Sequence, residues 1–237
     1  MVGLMPPNRR AGFVWPMTLR PSGKKTTILR KVLAEKLIIF TRFPQAGTTK
    51  TRLIPALGAT GAAELQRRLS ERIVRHGREL ASSRGAALEI CYAGGDAELV
   101  AAWLGADLRT VPQGEGDLGQ RLSRAFACAW QEGFRQVVLV GADCPALTIE
   151  IMQGAFAALT DHDLVLGPAT DGGYYLLGLA RPAPGLFQEQ PWGDAGLLAA
   201  TLAKAGKLGF SVQLLEELAD VDRPEDLHHL GDYPDLE

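Results

Sequence analysis

A cluster of cations follows a short apolar run in the first quarter of the chain. Residues 37–40 are apolar and bounded by turn-forming residues, which is typical of a buried parallel strand. Arg42, Lys50 and Arg52 then lie on the loop that follows, together with a proline and a glycine. Such a loop can surround a polyphosphate with positive charge and backbone N–H groups. Taken alone, it is equally consistent with a solvated basic turn.

Acidic residues follow later apolar runs. Asp143 comes directly after the run 137–142, Asp171 comes shortly after 163–167, and Asp222 lies near the end of the chain. Ligands of parallel α/β sheets bind outside the carboxyl ends of the strands, so these carboxylates would meet the basic loop there. Each aspartate alone is explained by a helix or turn cap. Together with the cations they predict a site for a Mg²⁺–nucleotide complex.

The pattern from residue 37 onward predicts the elements that position these residues. Short apolar runs alternate with helical periodicity, which indicates an α/β fold with a mostly parallel sheet. Strands are predicted at 37–40, 87–92, 108–111, 136–140, 163–167, 174–179 and 210–214. Helices are predicted at 61–82, 96–104, from a cap at Asp117 to about 132, from a cap at Thr148 to 159, at 195–205, and from 220–227 to the end.

Composition predicts one large domain with a basic leader. The chain has 237 residues, of which 46% are hydrophobic and 22% charged, enough for one sizeable core. Residues 1–36 contain eight Lys or Arg and one Glu, which gives them a formal charge of +7. The whole chain carries −2, so residues 37–237 carry −9. The leader has four prolines and no periodicity. We expect residues 1–36 to be a disordered extension, or to begin upstream of the natural start, and 37–237 to be a single domain.

Several classes of function are disfavoured. No apolar run approaches the roughly 20 residues of a membrane span. The three cysteines are widely spaced with no CxxC pair, which disfavours a disulfide framework and a zinc site and suggests the cytoplasm. The acidic body has no aromatic residues interleaved with its cations, so nucleic acid is not the expected partner. The sequence does not indicate an oligomeric state.

A set of motifs, in order, resembles one known family. The motifs are 41–53, 116–119, 141–145, 167–175, 191–192 and 220–227. They resemble the radical-SAM/selenodomain-associated transferase family, often labelled an arsenosugar-biosynthesis glycosyltransferase. That family is similar to the nucleotide-diphospho-sugar transferases, which implies the three-layer α/β/α fold of GT-A type. This chain departs from the pattern at Ala142, where Thr is expected, and at Gly193-Asp194, where a Ser/Thr-rich turn is expected.

The resemblance also implies roles for individual residues. The nucleotide phosphates would contact Arg42, Gly47, Lys50 and Arg52, and the base or ribose would lie near Asp117 and Gly119. Mg²⁺, or Mn²⁺ in its place, would be held by Asp143, with Asp171 or Asp222 as a second ligand. The acceptor side would be formed by Asp171, Gly172, Gly173, Tyr174 and Trp192. The residues expected to act in catalysis are Lys50, Arg52 and Asp143.

Two reactions and one non-catalytic function fit these expectations. The compact cluster of Lys50 and Arg52 suits a triphosphate, which favours transfer of a nucleotidyl group from an NTP to a small acceptor. The label of the family favours transfer of a glycosyl group from a nucleotide sugar. A nucleotide-binding domain without turnover is the third alternative.

Overall fold

The computed structural model describes residues 35–236. The predicted basic extension lies outside the described residues, apart from its last two. Glu35 and Lys36 open the first strand, so this strand begins two residues before the predicted domain boundary. Among the described residues, no helix combines the length and the apolar character that a membrane span requires.

Within residues 35–236, seven strands form one mostly parallel sheet, which confirms the predicted fold class. In chain order they are β1 (Glu35–Arg42), β2 (Ala87–Ala93), β3 (Arg109–Pro112), β4 (Gln136–Gly141), β5 (Leu164–Pro168), β6 (Tyr174–Leu179) and β7 (Val212–Leu214). Their order across the sheet is β3-β2-β1-β4-β6-β5-β7. Strand β6 is antiparallel to β4 and β5, and the other neighbours are parallel. Phe40 pairs with Gly141, so the carboxyl ends of β1 and β4 lie side by side.

In the described part of the chain, five α-helices connect the strands. They are α1 (Ile54–Arg84), α2 (Ala97–Leu104), α3 (Leu118–Gln131), α4 (Ile149–Ala158) and α5 (Leu197–Lys207). Helix α1 is interrupted at Gly58, whose φ of 71° and ψ of 166° are not helical. Asp117 and Thr148 cap α3 and α4 as predicted. The predicted terminal helix is present as a 3₁₀ helix, Pro224–Leu230.

Strand β1 is buried on both faces. Leu37 and Ile39 pack with residues of α1, α2 and α4, whereas Ile38 and Phe40 pack with residues of α3 and α5. This two-sided burial follows from the alternation of side chains along a strand and explains why β1 is apolar throughout its centre.

Lys36 is the buried exception at the start of β1. Its side chain is 1% exposed, and its Nζ donates to Oε2 of Glu89 and to Oε2 of Glu132, each at 2.8 Å. Arg109 Nε lies 2.7 Å from the same Glu89 oxygen. A buried ammonium is tolerated only when it is paired in this way.

Lys36→Met is therefore expected to lower the free energy of unfolding by about 3 kcal/mol, because it leaves the buried Glu89 carboxylate with only the half-exposed guanidinium of Arg109 as a cationic partner. Urea denaturation measures this loss. Glu35→Gln is the matched control on the adjacent residue, whose ion pair with Arg84 is partly exposed, and should cost less than about 1 kcal/mol. Equal losses in the two variants would contradict the assigned role of Lys36.

Candidate functional site

A cleft of about 640 Å³ lies at the carboxyl ends of β1 and β4. It brings together six residues that the sequence predicted for the site, namely Arg42, Lys50, Arg52, Asp143, Tyr174 and Asp222. Arg42 is the last residue of β1, Lys50 and Arg52 follow in the loop after it, and Asp143 lies just past the end of β4. The cleft therefore has positive and negative side chains on the same rim.

Lys50 occupies the junction between these charges. Its side chain is 3% exposed, and its Nζ donates to Asp143 Oδ1 at 2.6 Å and to the carbonyl oxygen of Val221 at 2.7 Å. The ammonium has three N–H donors, so two are already used within the protein. Its backbone adopts φ 47°, the left-handed region that residues other than glycine rarely visit.

The two arginines are held much more weakly. Arg52 Nη1 donates to Asp222 Oδ2 at 2.5 Å, but the side chains are 63% and 38% exposed. Arg42 Nη1 donates to the carbonyl oxygen of Thr48 at 3.3 Å, and Arg42 is also exposed. Exposed ion pairs contribute little to stability, so both guanidinium groups can turn to a ligand at small cost.

Residues 218–222 form a segment between the ends of β4 and β5, which we call the 218–222 segment. Val221 donates its N–H to the carbonyl of Asp143 at 2.9 Å, and Leu218 donates to the carbonyl of Pro168 at 3.1 Å. The segment carries Asp222 and also Asp220, which the sequence interpretation did not select. Burial raises the pKa of Asp220 to about 6, and repulsion from Asp171 and Asp143 adds to the effect.

The acidic side chains offer few preformed metal ligands. Within residues 35–236, no three His, Cys, Asp or Glu side chains are grouped so that they could hold a metal ion. Asp143 and Asp222 provide two carboxylates on the cleft, each next to a cation of the protein. This sparse donor set suits Mg²⁺, which usually takes one or two carboxylates and completes its shell with water and substrate phosphates.

Polar residues that the sequence interpretation missed line the other side of the cleft. Gln113 Nε2 donates to the carbonyls of Thr41 and Cys91, both at 3.1 Å, which fixes the amide across the ends of β1 and β2. Its Oε1 remains an acceptor, with Arg121 Nη1 at 3.5 Å. Gln113 directly precedes the glycine-rich turn, which was the available signal. Gln66 on α1 also lines the cleft, but a polar helix residue gave no such signal.

The other predicted site residues do not line the cleft. These are Gly47, Asp117, Gly119, Asp171, Gly172, Gly173 and Trp192. Asp117 caps α3, and Asp171 Oδ1 accepts the N–H of Gly173 at 2.8 Å in a local turn.

Gly119 and Gly172 make room for one segment. A Cβ on Gly119 would lie 2.6 Å from both Trp192 Nε1 and the carbonyl oxygen of Phe187. A Cβ on Gly172, which has φ +87°, would lie 2.1 Å from the carbonyl oxygen of Ala195. These glycines thus let residues 187–195 approach the start of α3 and the turn after β5.

Asp220→Asn is expected to stabilise the ligand-free protein at pH 7, in buffer with EDTA. The raised pKa means that the folded state holds this proton more tightly, so wild-type stability falls as the pH rises from about 4 to 6. The gain of the variant should therefore shrink toward pH 4. Thermal unfolding from pH 4 to 8 measures it. Asp220→Glu keeps the carboxylate and should show no such gain; a pH-independent gain for Asp220→Asn would contradict the assigned cause.

Gly119→Ala is expected to destabilise the protein by about 1–3 kcal/mol, because the new methyl group displaces the Trp192 segment. Tryptophan fluorescence should shift in this variant and should not shift when Trp192→Phe is already present. Gly154→Ala is the matched control, since a Cβ there meets nothing within 4 Å, and it should stabilise α4 by up to about 1 kcal/mol. An unshifted spectrum in Gly119→Ala would rule out the proposed contact with Trp192.

Solved structures similar to this chain share its fold. A protein from Desulfovibrio desulfuricans G20, provisionally described as a nucleotide-diphospho-sugar transferase, is 35% identical. The alignment covers 83% of this chain and 86% of that one, with a TM-score of 0.78. The 4-diphosphocytidyl-2C-methyl-D-erythritol synthase of Anaerococcus prevotii DSM 20548 is 10% identical over 84% and 98% of the two chains, with a TM-score of 0.56. A Mycobacterium tuberculosis H37Rv protein is 19% identical over 84% and 97%, with a TM-score of 0.50. The latter two show the fold alone.

Sequence comparison gives the family. A search of curated proteins found no match. The family model described as "Uncharacterized protein conserved in bacteria (DUF2064)" matches residues 76–194. The chain belongs to the DUF2064 family and has the fold of the nucleotide-diphospho-sugar transferases.

Proposed function

We propose that the protein is a Mg²⁺-dependent transferase that moves a nucleotidyl group from a nucleoside triphosphate to a small acceptor. The observation that supports this most directly is the meeting of the cations after β1 with Asp143 and Asp222 in one cleft. Cations bind and neutralise phosphates, and carboxylates hold the metal that accompanies them.

Each side of the cleft has a role in this proposal. Arg42 and Arg52, which the protein holds weakly, bind the phosphates of the donor, and Lys50 adds positive charge behind them. The fixed amide of Gln113, with Arg121 beside it, offers an acceptor and a donor to a nucleobase. The acceptor binds on the side of β6, which contributes Tyr174 to the cleft. The turn of Asp171, Gly172 and Gly173 directly precedes β6, and Trp192 lies against Gly119 at the start of α3; neither lines the cleft.

The reaction requires no covalent enzyme intermediate. An oxygen of the acceptor forms a bond to the α-phosphorus, the bond from that phosphorus to the bridging oxygen breaks, and pyrophosphate leaves with the electron pair. The acceptor releases its proton to solvent. Asp143 and Asp222 would hold Mg²⁺ or Mn²⁺, which when bound neutralises charge on the phosphate oxygens. The residues of the chain bind and orient the two substrates, and this positioning accounts for much of the expected rate enhancement.

Glycosyl transfer is the second candidate. It is supported by the description of the 35% identical Desulfovibrio protein as a nucleotide-diphospho-sugar transferase. The resemblance to the arsenosugar-type family points the same way. In this case the donor is a nucleotide sugar, the acceptor attacks the anomeric carbon, and the leaving group is a nucleoside diphosphate. The same cations and carboxylates would serve that diphosphate.

Two assays separate these reactions. Pyrophosphate release from each of the four NTPs is measured with Mg²⁺ and a panel of polyols, amino alcohols and sugar phosphates as acceptors. Release of UDP or GDP from nucleotide sugars is measured with the same panel. We expect activity in the first assay, a loss of at least about a hundredfold in Asp143→Asn, and about tenfold weaker nucleotide binding in Arg42→Ala. Arg135→Ala, an exposed residue at the opposite end of the sheet, should change neither.

Activity only in the second assay would replace nucleotidyl transfer with glycosyl transfer. Nucleotide binding that needs no metal, is unchanged in Asp143→Asn and leads to no turnover would contradict both, and would indicate a nucleotide-binding domain.

A further inference from the structure

The ammonium of Lys50 is directed at the protein itself more than at the cleft. We infer that Lys50 is a positioning residue, which fixes Asp143 and the 218–222 segment relative to each other and is not the main phosphate ligand. The positioning role of Lys50 is argued from its contacts within the protein, and the consequence for catalysis rests on the proposed function.

The hydrogen bonds of Lys50 are the first reason. Two of its three N–H groups are used, on Asp143 Oδ1 at 2.6 Å and on the Val221 carbonyl at 2.7 Å, in a side chain that is 3% exposed. A desolvated ammonium depends on such partners, so exchanging them for a substrate is costly. At most one N–H remains for a phosphate oxygen.

The backbone around Lys50 is the second reason. A lysine at φ 47° is held there by its surroundings, because the left-handed region is unfavourable for a residue with a Cβ. The preceding residue, Thr49, is fully buried, and its Oγ1 donates to the carbonyl of Phe43 at 2.9 Å. The fixed backbone of the loop therefore directs the lysine side chain toward Asp143.

The position of Val221 is the third reason. Val221 donates its N–H to the carbonyl of Asp143 and accepts from Lys50 through its own carbonyl. Lys50 thus closes a junction between the loop after β1, the end of β4 and the 218–222 segment. Asp222 is the next residue, so the same junction sets the place of both carboxylates that face the cleft. Asp143 remains 50% exposed and can serve a ligand while it stays bonded to Lys50.

Hydrogen exchange of the ligand-free protein tests the structural part. Lys50→Met removes both hydrogen bonds and keeps most of the stem, and we expect the amides of Leu218 and Val221 to exchange at least about tenfold faster. Lys50→Gln, which keeps a neutral N–H donor group, should give a smaller increase and provides a second variant should the first fail to fold. Lys207→Met is the matched control, because Lys207 is exposed at the end of α5. Unchanged exchange of these amides in the Lys50 variants would overturn the inference.

Calorimetry with inorganic triphosphate tests the consequence for the ligand. Without metal, we expect Lys50→Met to change the affinity less than about threefold and Arg42→Ala to lower it about tenfold. With Mg²⁺, Lys50→Met should lose the metal-dependent gain in affinity that Asp143→Asn also loses. The double variant should lose no more than either single variant, because Lys50 acts through Asp143.

The opposite result would assign Lys50 to the phosphates. A loss of about tenfold in metal-free affinity for Lys50→Met, additive with Asp143→Asn, overturns the inference while it leaves the proposed function intact. If the wild-type protein binds neither triphosphate nor any nucleotide, the proposed function fails, and the exchange measurement alone decides the role of Lys50.

Discussion

The parallel pairing of β1 with β4 determines where the chemistry of this chain can lie. The two strands are separated by roughly a hundred residues of sequence, yet Phe40 pairs with Gly141, so their carboxyl ends lie side by side at one end of the sheet. The basic loop follows β1, and Asp143 follows β4. Because parallel strands are buried on both faces, the carboxyl ends of β1 and β4 are the first place beyond these strands where polar side chains can reach solvent. The cleft is thus a consequence of topology before it is a consequence of any single side chain.

Charged side chains differ in burial at the two ends of the sheet. At the amino end, Lys36 and Glu89 are almost fully buried and paired, with Arg109 and Glu132 completing the network. The two most buried members of this network, Lys36 and Glu89, are bonded to each other. At the carboxyl end, Lys50 is buried, but the side chains of Asp143, Arg52 and Asp222 are between 38% and 63% exposed. The buried lysine gives that end a fixed frame, and the exposed arginines and carboxylates are the groups that can change partners.

The sequence predicted the sheet and the capped starts of α3 and α4 well, because both depend on local patterns. The apolar run of β1 and the cap at Asp117 are readable from neighbouring residues. Helix α1 begins at Ile54, before the predicted start at 61, because its first turns lack the apolar periodicity of the rest. The predicted terminal helix is present as a 3₁₀ helix that starts at Pro224, a type that periodicity does not specify. The bond from Lys50 to Val221 joins residues far apart in sequence and has no local signal. For Gly119 and Gly172, the sequence shows that a side chain is absent, but only the fold shows that residues 187–195 fill the space.

The ion pairs of the cleft also bear on which ligand the cleft accepts. Arg52 is paired with Asp222, and Lys50 with Asp143. An anion that draws Arg52 away leaves the Asp222 carboxylate without its cationic partner. A cation that draws Asp222 away leaves Arg52 unpaired. A phosphate that carries its own divalent cation satisfies both partners at once, so each component lowers the cost of binding the other. Under the proposed function, this reciprocity makes the metal–nucleotide complex, and neither component alone, the species that the cleft is built to bind.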